Sequence, residues 1–126
     1  MPKIDLATVP GRKGSGYPAP LDAPCAERIR QRLGNAGKLK DFGVNLMRLP
    51  PGSWSSQRHW HSHEDEFVYV LSGDVCVELD GAVSLLVPAQ SAYYRGGIPH
   101  RWWSAGGGAY RLLVVKQGPR LGPSGR

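Results

Sequence analysis

The stretch SSQRHWHSHEDEFVYVLSG, residues 55–73, decides the interpretation of this chain. Its first half contains three histidines and three carboxylates within the eight residues 59–66. Its second half alternates, so that Glu66, Val68 and Val70 share one face of an extended chain. The stretch therefore predicts a half-buried β-strand that begins directly after a cluster of groups able to bind a metal ion.

His59 and His61 are one residue apart, which places both imidazoles on the same face of an extended chain, about 7 Å apart. Two rings at that spacing can both reach one ion at about 2.0–2.1 Å. Glu66 has the opposite parity, so the chain must turn or bulge across residues 62–65 for its carboxylate to join them. A carboxylate at the head of an inward apolar face is costly unless it is paired or coordinated, and that cost favours a metal.

Short β-segments bounded by turn residues predict the rest of the fold. Turn signals recur at intervals of roughly 8–12 residues, which is typical of a sandwich or barrel. Residues 26–33 fit a short helix or a strand, and a strand is favoured because 34–37 resembles a turn. The other predicted strands cover residues 42–49, 66–71, 75–79, 83–87, 92–94, 100–103 and 110–115.

The chain of 126 residues is long enough for one domain with one modest core. Residues 1–24 are rich in Gly, Pro and basic side chains and are expected to form an extended N-terminal arm. Residues 25–117 are expected to form a single β-barrel domain, and residues 118–126 a flexible tail.

The formal charge of +6 arises from scattered basic residues rather than from a dense basic run. Nucleic-acid binding is therefore not expected, whereas a basic surface could suit an anionic ligand. No apolar run approaches the length of a membrane span, and the N-terminus lacks the apolar core of a signal peptide, so a cytoplasmic protein is expected.

Two cysteines, Cys25 and Cys76, do not make a disulfide framework. Cys76 is expected to be packed in a strand. Cys25 lies at the end of the arm and could be reactive, although nothing near it in the sequence argues for reactivity.

The segment around the paired histidines resembles the first motif of the cupin superfamily. His59, His61, Glu66 and Gly73 have the spacing of that motif. Gly52 lies one position before the place of the motif's opening glycine.

A second segment is similar to the second cupin motif, with Gly97 and His100 in the expected positions. Three positions depart from the pattern: Ala89 replaces a glycine, Arg95 a proline and Ser104 an asparagine. These departures concern turns and the support around the site, while the metal-binding histidine is present.

The resemblance implies an all-β fold, a cupin barrel (double-stranded β-helix or jelly roll) of antiparallel strands, and a homodimer. It also implies that His59, His61, Glu66 and His100 bind one divalent transition metal ion. The ligand types suit Fe, Mn, Ni, Zn or Cu without distinguishing among them.

His63 is the rival ligand to His59, but pairing it with His61 would require a glutamate where Val68 stands. We therefore place His63 at the rim, and name His63 and Tyr94 as candidates for acid–base work. The aromatic residues are expected to pack in the core and sheets, or alternatively to wall a ligand site: Trp60, Tyr69, Tyr94, Trp102 and Trp103.

Arg58 and Arg101 each adjoin a predicted ligand, so strand alternation should point them away from the metal. Arg95 could bind a substrate carboxylate, with solvation at the surface as the alternative.

These features predict a metal-dependent enzyme acting on a small organic molecule, of dioxygenase, isomerase or decarboxylase type. The alternative is a non-catalytic metal or small-ligand binder or sensor. A structural or storage role is disfavoured by the four-ligand set. The expected partner is a small-molecule ligand or substrate, with no nucleic acid and no membrane.

Overall fold

The computed structural model describes residues 2–60, 64–106 and 110–117. Regular structure in these ranges is nearly all β, apart from two 3-10 turns and one helical turn, α1 (Leu33–Ala36). In chain order the strands are β1 (Gly11–Lys13), β2 (Ile29–Arg32), β3 (Gly43–Leu49), β4 (Asp65–Ser72), β5 (Val75–Leu79), β6 (Ala82–Leu86), β7 (Ser91–Tyr94), β8 (His100–Ser104) and β9 (Tyr110–Gln117).

The strands form two sheets of antiparallel neighbours. The larger sheet has the order β1-β2-β3-β9-β4-β7, and the smaller has the order β6-β5-β8. From β4 onward the chain crosses repeatedly between them: β5 and β6 belong to the smaller sheet, β7 to the larger, β8 to the smaller and β9 to the larger. This crossing pattern brings segments far apart in sequence into one barrel.

The core lies between the two sheets, because each contributes side chains that solvent does not reach. Val68, Val70 and Leu112 come from the larger sheet, and Val75 and Val77 from the smaller. The sheets therefore pack face to face over an apolar interior, which confirms the predicted all-β barrel of antiparallel strands.

Strand β4 shows the predicted alternation. Glu66, Val68 and Val70 are 5%, 0% and 0% exposed, while Phe67 and Leu71 point outward at 39% and 41%. The apolar face of β4 thus carries Glu66 into the barrel.

The N-terminal third contains details that the sequence did not predict. The expected turn at 34–37 is replaced by the single helical turn α1, and β1 lies within the stretch predicted as an arm. The strand assignment within 26–33 agrees with β2. The predicted tail, 118–126, lies outside the described residues. Across the described ranges, no helix is long and apolar enough to cross a membrane.

Cys25 is completely buried, and burial raises the pKa of its thiol, an effect that the nearby Arg28 charge partly opposes. A thiol that is both inaccessible and hard to ionise is not a reactive one. The option of a reactive Cys25 is therefore wrong, because the arm packs against the barrel at this point.

Candidate functional site

His59 and His100 lie side by side through a short antiparallel bridge between the two motifs. The His59 N–H donates to the His100 carbonyl at 3.1 Å, and the His100 N–H donates to the His59 carbonyl at 2.7 Å. Their ring centroids are 4.4 Å apart, with the planes inclined at 63°. The bridge therefore joins one predicted ligand of each motif, as the resemblance requires.

Both imidazoles are oriented by backbone carbonyls. Nδ1 of His59 lies 2.8 Å from the Gln57 carbonyl and 3.0 Å from the Ser56 hydroxyl. Nδ1 of His100 lies 2.9 Å from the Ile98 carbonyl. A carbonyl oxygen can only accept, so Nδ1 of each ring carries the proton and Nε2 of the neutral ring carries the lone pair.

Glu66 brings a buried carboxylate to the same place. Its Oε2 lies 3.2 Å from Nε2 of His100, and both side chains are almost completely buried. When Nδ1 of His100 is the donor of a neutral ring, this contact brings two acceptor atoms together. Such a contact needs a second proton on the ring or a cation between the atoms.

Tyr94 and Trp102 complete the surroundings of the carboxylate. The Tyr94 ring lies 4.3 Å from the His100 ring, and its hydroxyl accepts a hydrogen bond from Trp102 Nε1 at 3.2 Å. Burial, followed by the charge of Glu66, raises the pKa of Tyr94 far above its usual range. Packing of Tyr94 and Trp102 in the core is confirmed, since they are 6% and 5% exposed, whereas the prediction is wrong for Trp60, which is 59% exposed.

The donor types are those that a transition metal ion takes in proteins. Two imidazoles and a carboxylate are suitable ligands, and histidines that bind metals usually donate their other ring N–H to a carbonyl or carboxylate. His61, the fourth predicted ligand, and His63 lie outside the described residues. Within the described ranges, no three His, Cys, Asp or Glu side chains are arranged closely enough to hold an ion by themselves.

A cavity of about 50 Å³ adjoins these side chains, and both His59 and Glu66 line it. Its wall also carries Arg28, Arg30 and Lys116, none of which was a predicted site residue. The sequence signal was the alternation of Arg28 and Arg30 at the start of β2, which was interpreted as part of a scattered basic surface that could suit an anionic ligand.

Arg28 is held rigidly at the wall of the cavity. Its Nε donates to the Gly14 carbonyl at 2.9 Å, and its Nη1 donates to the Ser55 carbonyl. Burial lowers the pKa of its guanidinium. The arm is therefore part of the support of the site, since Gly14 belongs to it.

Arg58 and Arg101 point away from the histidines, as strand alternation predicts. Both pair with Glu78, at 3.1 Å and 2.9 Å. The Arg101 guanidinium also stacks over Trp54 and Trp103, at 4.5 Å and 4.8 Å from the ring centroids. Their role is to pack the outside of the smaller sheet.

Three solved structures are similar to this arrangement. A cupin-superfamily sugar phosphate isomerase from Silicibacter pomeroyi is 39% identical, with a TM-score of 0.88 over 94% of this chain and 76% of that one. A candidate sugar phosphate isomerase from Acidithiobacillus ferrooxidans is 28% identical, with a TM-score of 0.71 over 84% of this chain and 68% of that one.

A predicted oxalate decarboxylase from Thermotoga maritima shares the fold, with a TM-score of 0.75 at 19% identity over 93% of this chain and 99% of that one. No curated protein matches the sequence significantly. The family model of the cupin domain matches residues 45–116, a range that includes both histidine motifs. The chain belongs to the cupin superfamily.

Proposed function

We propose that this chain is a metal-dependent isomerase acting on a sugar phosphate. One observation carries the proposal. The His100 ring lies against the His59 ring and the buried Glu66 carboxylate, and three cationic side chains line the wall of the adjoining cavity: Arg28, Arg30 and Lys116. Cationic side chains beside a set of metal-binding groups suit a substrate that has both oxygens to coordinate and an anionic group. The two sugar phosphate isomerase relatives point to the same class of substrate.

His59, Glu66 and His100 would hold the ion, with His61 as the fourth ligand that the cupin motif predicts. When bound, a divalent ion supplies Lewis acidity that polarises a carbonyl or hydroxyl oxygen. The choice among Fe, Mn, Ni, Zn and Cu is left to elemental analysis.

The chain's own residues orient the reacting groups. The carbonyls of Gln57 and Ile98 hold the two imidazoles with their Nε2 atoms toward the site. Tyr94 contacts the Glu66 carboxylate and limits its rotation. Fixed donors of this kind reduce the reorganisation that a reaction requires. His63 stays a sequence-based candidate for moving the proton between adjacent carbons.

The proposal is tested by supplying metal-loaded protein with a panel of aldose and ketose phosphates and following interconversion by NMR. Turnover of a phosphorylated sugar, lost in Glu66→Gln and retained in Arg58→Gln, is expected. Arg58 is a suitable control because it pairs with Glu78 on the outside of the smaller sheet. Metal-loaded protein that converts no member of the panel would refute the isomerase.

Parallel assays distinguish the isomerase from the other functions that the sequence predicts. Oxygen uptake with Fe(II)-loaded protein would favour a dioxygenase, and CO₂ release from a carboxylate substrate would favour a decarboxylase. Tight binding of one compound without turnover would favour the ligand sensor. A cytoplasmic location and a homodimer stay part of the proposal.

A further inference from the structure

Three arginines continue the inner face of the larger sheet beyond the apolar core. In the antiparallel pairing of β1 and β2, Arg12 lies opposite Arg30. Arg30 in turn lies opposite Met47, a buried core residue of β3. Arg32, two residues further along β2, shares this face and lies opposite Asn45. Directly opposed residues of antiparallel strands have their side chains on the same face, so the three guanidiniums form one cationic strip.

The cationic strip (Arg12, Arg30 and Arg32) holds like charges together without a compensating carboxylate. In the part of the chain that the structure describes, none of the three forms an ion pair, and the buried Nε of Arg30 has no hydrogen-bond partner. The pKa of Arg30 is lowered by burial and then by the charges of Arg32, Arg28 and Arg12. Directly opposed like charges destabilise a sheet, and a bound anion would remove that cost.

The strip lines a cleft of about 480 Å³, together with Asn35 of α1. Arg30 also lines the cavity of about 50 Å³ beside His59 and Glu66. The smaller cavity can hold only a few water-sized groups, so it cannot enclose a whole sugar phosphate. A ligand whose reacting end lies in the cavity must extend outward, and the shared residue Arg30 marks where the cavity and the cleft adjoin.

We infer that the cleft lined by Arg12, Arg30 and Arg32 binds the phosphate group of the substrate, while the sugar end reaches the histidines. This assignment rests on the proposed isomerase. Guanidinium groups bind phosphate oxygens bidentately, so a pair of opposed arginines with a third beside them suits a phosphate monoester dianion. The strip is then the specificity determinant that separates phosphorylated from neutral sugars.

The test begins with inorganic phosphate titrated into the full-length protein and followed by calorimetry. Arg30→Gln and Arg12→Gln are each expected to weaken phosphate binding about tenfold or more, because each removes a charge-assisted contact. Arg48→Gln is the matched control, since Arg48 lies opposite Ile29 on the other face of the same sheet and should leave the affinity unchanged. Arg12 is exposed, so its variant tests the cleft even if Arg30→Gln fails to fold.

Kinetics then separate this inference from the proposed function. For a phosphorylated sugar, Arg12→Gln should raise KM far more than it lowers kcat. Activity with unchanged KM and unchanged phosphate affinity in both variants would overturn the phosphate cleft while leaving the isomerase intact. Phosphate binding lost in both variants, with no turnover of any sugar phosphate by the parent protein, would keep the cleft and refute the isomerase. Tight, salt-dependent binding of DNA with no phosphate affinity would overturn the inference in favour of a nucleic-acid surface.

Discussion

Ala89 has a backbone φ of 71°, in the left-handed region that favours glycine. It lies between β6 and β7, where its N–H donates to the Val70 carbonyl at 2.9 Å. The second cupin motif has a glycine at this position. An L-residue in this conformation costs about 1–2 kcal/mol, so the departure from the motif is a local source of instability.

Ala89→Gly should therefore raise the free energy of unfolding by about 0.5–1 kcal/mol. The relief of strain exceeds the extra chain entropy of glycine, which costs about 0.5–1 kcal/mol. Urea unfolding measures the change as a higher midpoint at constant slope. Ala82→Gly, at an exposed position in β6 without positive φ, should lose stability instead. Equal losses in both variants would show that Ala89 is not strained.

Each predicted ligand should be required for the protein to retain its metal ion. Glu66→Ala and His61→Ala should abolish it, whereas His63→Ala should largely preserve it, because the cupin register places His63 at the rim. Elemental analysis of freshly purified protein measures the metal content of each variant. Loss of the metal in His63→Ala would mean that the register is wrong, and parent protein that neither contains nor takes up metal would refute the site.

Cys25 should resist alkylation in the folded protein. Its folded pKa lies above the ordinary value of 9.0 because of burial, so little thiolate forms at pH 8. Because burial disfavours the thiolate, the folded state loses stability as the pH rises from about 9 to the folded pKa, and below about pH 9 the thiol is neutral in both states. Iodoacetamide labelling followed by mass spectrometry should therefore modify Cys25 only after unfolding in urea. Rapid labelling of Cys25 in native protein would contradict its burial.

At the scale of elements, the turn from β4 to β5 decides how the chain passes from one sheet to the other. Gly73 in this turn has a φ of 77°, and a Cβ added there would overlap the ring of Tyr110 at the start of β9. Glycine is thus required twice, by its backbone conformation and by the close approach of an aromatic ring. The motif's glycine therefore lets the chain turn from β4 into β5 against the Tyr110 ring, at the end of β4 opposite to Glu66.

Gly73→Ala should cost about 2–5 kcal/mol of stability, from backbone strain of about 1–2 kcal/mol and overpacking of about 1–3 kcal/mol. Gly81→Ala is the matched control, since Gly81 has a φ of 87° but no atom within 4 Å of an added Cβ. It should show the backbone strain alone. Thermal and urea unfolding compare the two. If both variants lose the same stability, the contact with Tyr110 does not constrain the turn.

At the scale of the whole molecule, two chains of 13.7 kDa are expected to associate as a homodimer. Sedimentation equilibrium should give twice that mass at micromolar concentration. The measurement should be made at moderate salt, because a formal charge of +6 favours repulsion between copies at low ionic strength. A mass of 13.7 kDa across the concentration range would exclude the dimer.

The sequence by itself determined the strand pattern from β3 onward, the inward face of β4 and the two histidine motifs. These are local properties, because alternation along a strand follows from backbone geometry and a motif's spacing is independent of distant residues. Burial of Glu66 with Val68 and Val70 was predictable for that reason.

Only the tertiary structure decided which distant groups meet. The bridge between His59 and His100, the contact of Tyr94 with Glu66, and the arginines beside the cavity all depend on sheet order and register. Register is set by how whole strands bury their apolar faces against one another, which no short stretch of sequence specifies. The alternating arginines of β2 were visible in the sequence. Only the pairing of β2 with β3 showed that they lie on the inner face of the sheet, next to the apolar core.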